Sequence, residues 1–300
     1  IMKKIIQFNK AFLPCAVLSL AVIAAGIVSI VTKGINFSID FKPGYIAEVQ
    51  IPSAPSIEEV RDVLGSYGAA VKNVGAAETS AYQIRISDNN QGSQLMDSVS
   101  KTLFDKYGEI TVLKTDFIGS QLSKTLGFYS ILLLIGTMLC IWAYSAIRFR
   151  WDFALGAIIA LLHDTLIMFT IFSLFQIEFG TLSIAAVLTI IGYSINDTVV
   201  ILDRVRQNIQ IVEVKKFDEV LNKSLSDTLS RSIITTVTTL FAAVSLYVFT
   251  TGAIKDFALA IIVGLVSGCY SSLFISSGFI SFVRRNWKPS YGLNVTSKSF

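Results

Sequence analysis

The chain has 300 residues, of which 53% are hydrophobic and 15% charged, whereas a soluble globular chain carries about 25% charged residues. Six segments, 11–32, 125–147, 153–177, 179–202, 232–254 and 257–283, hold only two of the 46 Asp, Glu, Lys and Arg residues, Asp164 and Asp197. This excludes a water-soluble fold. The three cysteines, Cys15, Cys140 and Cys269, all lie in those segments, which excludes a disulfide framework or a cysteine metal site by spacing. The net charge of +4 does not indicate nucleic acid, because the basic residues flank the apolar segments instead of forming a stripe.

Each segment is long enough to cross a hydrocarbon core of about 30 Å as a helix. Six transmembrane helices are therefore predicted. Segment 11–32 also invites a secretory-signal reading, with Lys3 and Lys4 as the basic region, but its uncharged stretch exceeds the apolar core of such a signal. Counting Lys and Arg orients the bundle. Fifteen fall on one side, from Lys3, Lys4 and Lys10 through Arg148, Arg150, the 204–231 connection and Arg284 to Lys298, against one Lys in the two short loops opposite. Residues 1–32 are read as a cytoplasmic N-terminus and first span, 33–124 as a periplasmic domain, 125–283 as spans two to six, and 284–300 as a cytoplasmic tail.

Within 33–124, Tyr45, Ala47, Val49 and Ile51 alternate with polar residues, as do Tyr82, Ile84 and Ile86, and both runs predict half-buried strands. Ser56 and Glu59 form a capping-box pattern ahead of Val60, Val63, Leu64 and Tyr67, and Gly68 is placed to end that helix. A second helix is predicted over 93–107, with Leu95, Val99 and Leu103 on one face and Gly108 as its stop. Strand returns over 109–117, and a further strand is expected at 35–40. The order is that of a split βαβ, ferredoxin-like domain. It holds no constellation resembling an active site, and reads as a binding or docking module.

A carboxylate within a span costs about 2.5–3.5 kcal/mol on insertion scales. Helical spacing puts Tyr193, Asp197, Ile201 and Arg204 on one stripe, flanked by Asn196 and Thr198, and puts Thr235, Thr238 and Thr239 on the face of Arg231. Two readings of Asp197 stand: a carboxylate paired with Arg231 to fix packing, or a protonatable group on an ion path. In the second, making or breaking contact with Arg231 would release or load a proton. His163 and Asp164 lie about 100° apart on their helix, so spacing does not make them a dyad. His163 reads as a packing residue, and Asp164 as a candidate partner of Arg148 or Arg231. Gly264, Ser267, Gly268, Ser271 and Ser272 form a small-residue face for close helix approach.

Gly192-Tyr193-Ser194-Ile195-Asn196-Asp197-Thr198, followed by Asp203-Arg204-Val205-Arg206-Gln207-Asn208, resembles the signature of the SecD/SecF family of bacterial protein-export membrane subunits. The resemblance extends to 157–164, 175–179, 231–236 and the turn Ile39-Asp40-Phe41-Lys42-Pro43-Gly44, where Pro43 replaces a usual Gly; Gln207 stands where Glu is frequent. It implies a half-transporter of the resistance-nodulation-division superfamily in the bacterial inner membrane, paired with SecD and acting with the SecYEG translocon, with YajC and YidC as further partners. Protons would be the coupling ion, no other cofactor or metal being implied, and the exported preprotein the cargo. Asp197 and Arg231 fall on the family's membrane carboxylate and its arginine partner. Two alternatives are weighed against it: half of a small-molecule or lipid exporter, and an assembly factor without proton coupling.

Overall fold

The computed structural model describes residues 5–38, 40–74, 80–87, 93–211 and 216–287. Lys3, Lys4, Lys215, Lys288 and Lys298 of the charge count, and Ile39 of the turn, lie outside these residues. Six helices are long and apolar enough to cross a membrane. They are α1 (Asn9–Lys33), α4 (Ser120–Arg148), α5 (Trp151–Leu174), α6 (Thr181–Ile211), α7 (Phe217–Phe249) and a last span in three pieces. That span comprises α8 (Gly252–Tyr270), a π-helical turn (Ser271–Ser276) and α9 (Ser277–Val283). The chain is a multi-pass membrane protein.

Between α1 and α4 lie β1 (Gly44–Gln50), α2 (Ile57–Val63), β2 (Ala70–Asn73), β3 (Ala81–Ser87), α3 (Ser93–Tyr107) and β4 (Thr111–Ile118). The sheet order is β2-β3-β1-β4 with every neighbouring pair antiparallel, the ferredoxin-like arrangement expected from the sequence. The local signals act as they read. Ser56 and Glu59 form a reciprocal capping box, and Gly68 and Gly108 take positive φ, 62° and 79°, at the ends of their helical segments. The alternating residues Tyr45, Ala47, Val49, Tyr82, Ile84 and Ile86 join Val60, Leu64, Leu95, Val99 and Leu103 in one buried core. The strand expected at 35–40 is replaced by a single parallel bridge from Phe37 to Phe179. A short connector pinned to a membrane loop has no neighbouring strand to extend along.

In the bundle, α5, α6 and the last span are half buried along their apolar stretches, whereas α4 buries no hydrophobic residue fully and packs Leu134, Met138 and Ile141 against the core. Small residues set the close approaches. A Cβ at Gly26 would fall 1.9 Å from Thr170 Oγ1, and one at Gly264 would fall 2.3 Å from Ile190.

Helices α6 and α7 overrun the predicted spans, to Ile211 and back to Phe217. Charge ended the hydropathy windows, but it does not end the helices. Arg204 pairs with Asp227 at 2.6 Å and Arg206 with Asp203 at 2.8 Å, and Asn208 donates to Ser224 at 2.9 Å inside the contact. Phe217, Val220, Leu221 and Leu225 recur at helical spacing and pack on Phe8, Phe12, Phe149, Phe153 and Val205.

Gly264→Ala should separate α8 from α6 and destabilise the fold by about 1–3 kcal/mol, the range for overpacking. Nothing lies within 4 Å of a Cβ at Gly192. Gly192→Ala should therefore leave the thermal midpoint in detergent unchanged or slightly raised, and the paired measurement separates packing from helix propensity.

Candidate functional site

The polar residues within the bundle fall into two groups. The first surrounds Asp197, which is 5% exposed and makes no ion pair among the described residues. Arg231 and Ser232, at the membrane entry of α7, both act on it. The Ser232 hydroxyl adjoins the carboxylate and Thr236 adjoins Cys269 of α8, each through a contact outside strict hydrogen-bond geometry. Tyr193, one turn before Asp197, donates to the Thr235 carbonyl at 2.6 Å and meets Thr239 Oγ1 at 3.0 Å, fastening α6 to α7. Thr198 Oγ1 is 2.8 Å from Ser272 Oγ.

The remaining residues singled out in the sequence sit elsewhere. Arg204 shares the stripe but turns to Asp227 of α7, because a guanidinium at the end of the span finds a carboxylate without entering the apolar interior. The Thr235 and Thr238 hydroxyls do not lead inward; they donate to Arg231 and Ile234 carbonyls one turn back on their own helix. Asn196 and Arg231 are both exposed on the isolated chain. The carboxylate is thus interior, while two polar residues beside it lie open to whatever covers that face.

The second group surrounds Asp164, which is fully buried and contacts neither Arg148 nor Arg231. Arg148 pairs instead with Asp203 at 3.3 Å. Asp164 Oδ2 accepts from Ser194 at 2.7 Å and Ser271 at 2.8 Å, and Oδ1 accepts from Ser267 at 2.7 Å. The π-helical turn beginning at Ser271 re-registers the last span at this carboxylate. Adjacent spacing did not keep His163 away, since its Nδ1 is 3.1 Å from Asp164 Oδ1. Side chains 100° apart both lean into the groove between α1, α5 and α8, and the imidazole is long enough to reach back.

Residues that sequence reasoning passed over fix the extramembrane domain to the bundle. Asp40 Oδ2 accepts from the Thr181 backbone N–H at 2.8 Å, capping the start of α6. Phe37, Phe41 and Phe179 form an aromatic cluster with centroids 6.0 Å apart. Pro43 is accommodated because residue 43 does not take positive φ, and Gly44 serves close approach, since a Cβ there would meet the Ile86 carbonyl oxygen. Gln207 donates to Asp203 and accepts from Arg204, so its amide serves both charges of that end. Glu178, in the α5–α6 loop, takes Arg85 at 2.8 Å and Lys72 at 3.1 Å, and Lys72 also reaches Asp256 at 3.4 Å.

Residues 98–286 match the family model described as the C-terminal region of the protein export membrane proteins SecD and SecF, and residues 28–51 match that of the SecD/SecF GG motif. The chain belongs to the SecD/SecF family. Among its relatives, the protein translocase subunit SecF of Treponema pallidum is 42% identical over 77% of this chain and 62% of its own length. That of Rhodothermus marinus is 38% identical over 89% of this chain and 90% of its own. A crystal structure of SecDF from Thermus thermophilus, titled a translocon-associated membrane protein, superposes with a TM-score of 0.83 at 29% identity, covering 94% of this chain and 39% of that one. The chain thus spans less than two thirds of the Treponema relative and of SecDF. Within the family motif region, Asp40 and Gly44 are the residues whose geometry explains the turn.

Arg85 is 9% exposed and Glu178 13% exposed at the side chain, so removing one partner strands a largely buried charge. Glu178→Ala should loosen the β2–β3 edge from the α5–α6 loop, seen as faster amide exchange in both strands. Lys114→Ala, whose pair with Asp116 is 62% and 48% exposed, should leave exchange unchanged.

Proposed function

We propose that this chain is the SecF-type half of a proton-driven export subunit, which with SecD uses the proton motive force to drive or complete movement of unfolded preproteins through SecYEG. In this reading it lies in the bacterial inner membrane with both termini cytoplasmic and the 33–124 domain periplasmic. YajC and YidC are further proposed partners, and protons are the only ligand required. Lys10, Arg148, Arg150, Arg204, Arg206, Arg284 and Arg285 support this orientation by the excess of basic residues on the cytoplasmic side of membrane proteins.

The observation that carries the proposal is the state of Asp197. A buried carboxylate that served packing alone would be expected to carry a full set of donors, as Asp164 does. Asp197 instead has Arg231 near it without an ion pair, and Ser232 is the one hydroxyl that acts on it, through a contact outside strict hydrogen-bond geometry. Such a carboxyl holds its proton while Arg231 stays back and gives it up when the guanidinium closes. Tyr193 holds α6 and α7 together one turn away, so a shift of α7 changes that distance. The exposure of Asn196 and Arg231 suits a second membrane half on this face, and the SecDF chain, of which this chain covers 39%, has the length for one.

Moving one charge through 100 mV is worth about 2.3 kcal/mol, enough to shift a two-state equilibrium roughly 50-fold. Asp197→Asn keeps the shape and removes the titratable group. Export that depends on the membrane potential should fall to the level of cells lacking the subunit while SecD still co-purifies. Unchanged, potential-dependent export in that variant would sink the proton-relay reading.

A further inference from the structure

Beyond Asp197, the bundle holds a second ionisable pair whose protons can be placed from its hydrogen bonds. The network runs from α1 to α8 through α5. Tyr270 Oη is 2.7 Å from the Cys15 carbonyl oxygen, Ser19 Oγ is 3.0 Å from Tyr270 Oη, and His163 Nε2 is 3.0 Å from Ser19 Oγ. A carbonyl only accepts, so the single Tyr270 proton is committed to Cys15. The Tyr270 oxygen therefore accepts from Ser19, which spends its one proton there. Ser19 can then only accept from His163, and Nε2 carries a hydrogen. The other ring nitrogen faces Asp164 Oδ1 at 3.1 Å. A bare Nδ1 against a carboxylate would set lone pair against lone pair in a buried site, so a proton lies between them as well. The Ser194, Ser267 and Ser271 hydroxyls already donate to both Asp164 oxygens, which act as acceptors, so the shared proton is assigned to Nδ1.

We propose that His163 and Asp164 form a proton-binding site, an imidazolium–carboxylate pair that is electrically neutral as a unit and whose ligand is one exchangeable proton. The site is separate from the Asp197 relay and stands on geometry alone. Release of the proton from the imidazolium leaves a neutral imidazole and one uncompensated carboxylate. If Nδ1–H stays on Asp164, Nε2 becomes an acceptor. Ser19 must then turn to donate to it, and the single Tyr270 proton can serve only Cys15 or Ser19, so one of the two Tyr270 bonds between α8 and α1 is lost. Occupancy of the site is thereby tied to the seating of α1, the helix from which the chain enters the extramembrane domain.

Other titratable groups facing this site are few. They are the Tyr270 phenol on α8 and Cys15 on α1, whose carbonyl takes the phenol proton, whereas Asp197 and Cys269 interact with α7 residues. The π-helical turn and α9 contribute none, and α4 carries no charge between Lys124 and Arg148.

The chain contains one histidine, which makes the test direct. The full chain, carrying an affinity tag without histidine and labelled with ¹⁵N-histidine, is placed in lipid nanodiscs and its ring nitrogens are observed by NMR. Both nitrogens should carry a hydrogen at pH 7.5. Asp164→Asn should lose that protonation at the same pH, and Asp197→Asn should retain it. A neutral ring with one bare nitrogen in the wild-type chain at pH 7.5 overturns the proposal, and that measurement needs no variant to fold. If Asp197→Asn leaves export intact while His163 is an imidazolium, the relay reading fails and this site stands.

Discussion

Hydrocarbon offers no partner to a polar group, and every feature of the bundle follows from how that demand is met or left unmet. Asp164 shows the demand met. Three serines from α6, α8 and the π-helical turn donate to its two oxygens, and the imidazole of His163 supplies the remaining contact. Those donors need backbones close together, which the small residues along α8 allow: Gly264 and Gly268 bring it against Ile190 and Ser194 of α6. Asp197 shows the demand only partly met, one turn along the same helix. A helix bundle built to satisfy one carboxylate and leave the next short of donors has an interior that can respond to charge.

The same chain carries a mechanical route from that interior to the extramembrane domain. Asp40 caps α6, the helix that holds Asp197 and Ser194, and Phe37, Phe41 and Phe179 pack the connector against the α5–α6 loop. Glu178 in that loop holds Arg85 and Lys72 of the sheet. Lys72 is 39% exposed, so its pairs contribute little, about 1 kcal/mol or less each. The Arg85–Glu178 pair is drier and stronger, but it remains a single contact. A proton crossing 100 mV supplies about 2.3 kcal/mol. One or a few protons are therefore of the right size to shift the seating of the domain without unfolding it.

How much of this was legible in the sequence depended on the range of the interaction. The spans were legible because absence of charge over a whole segment leaves only lipid or a core as its surroundings. The ferredoxin-like order was legible because Ser56, Glu59, Gly68 and Gly108 act within their own turns, and the strands alternate. Asp197 and Arg231 stood out as costly residues in a specific motif, though their roles rest on the proposal. The misreadings were about partners. Spacing along α5 did not make His163 and Asp164 a dyad, but a groove between three helices, not one helix face, decides where side chains converge. Arg204 lay on the Asp197 stripe yet turned to Asp227, which is closer to the aqueous end. The extensions of α6 and α7 were hidden by the charges that end a hydropathy window, although the helical recurrence of Phe217, Val220, Leu221 and Leu225 could have revealed them. Nothing local to Glu178 or Asp40 announces a clasp, since their partners lie 93 or more residues away in sequence.

The central claim is that Asp197 carries protons across the bundle under control of Arg231. Its most direct test is preprotein-stimulated proton uptake in proteoliposomes containing this chain, SecD and SecYEG. The account predicts that Asp197→Ala and Arg231→Leu each abolish the stimulated uptake, whereas Lys114→Ala retains it. Stimulated uptake at the wild-type rate in the Asp197 variant, with the assembly intact, would contradict it.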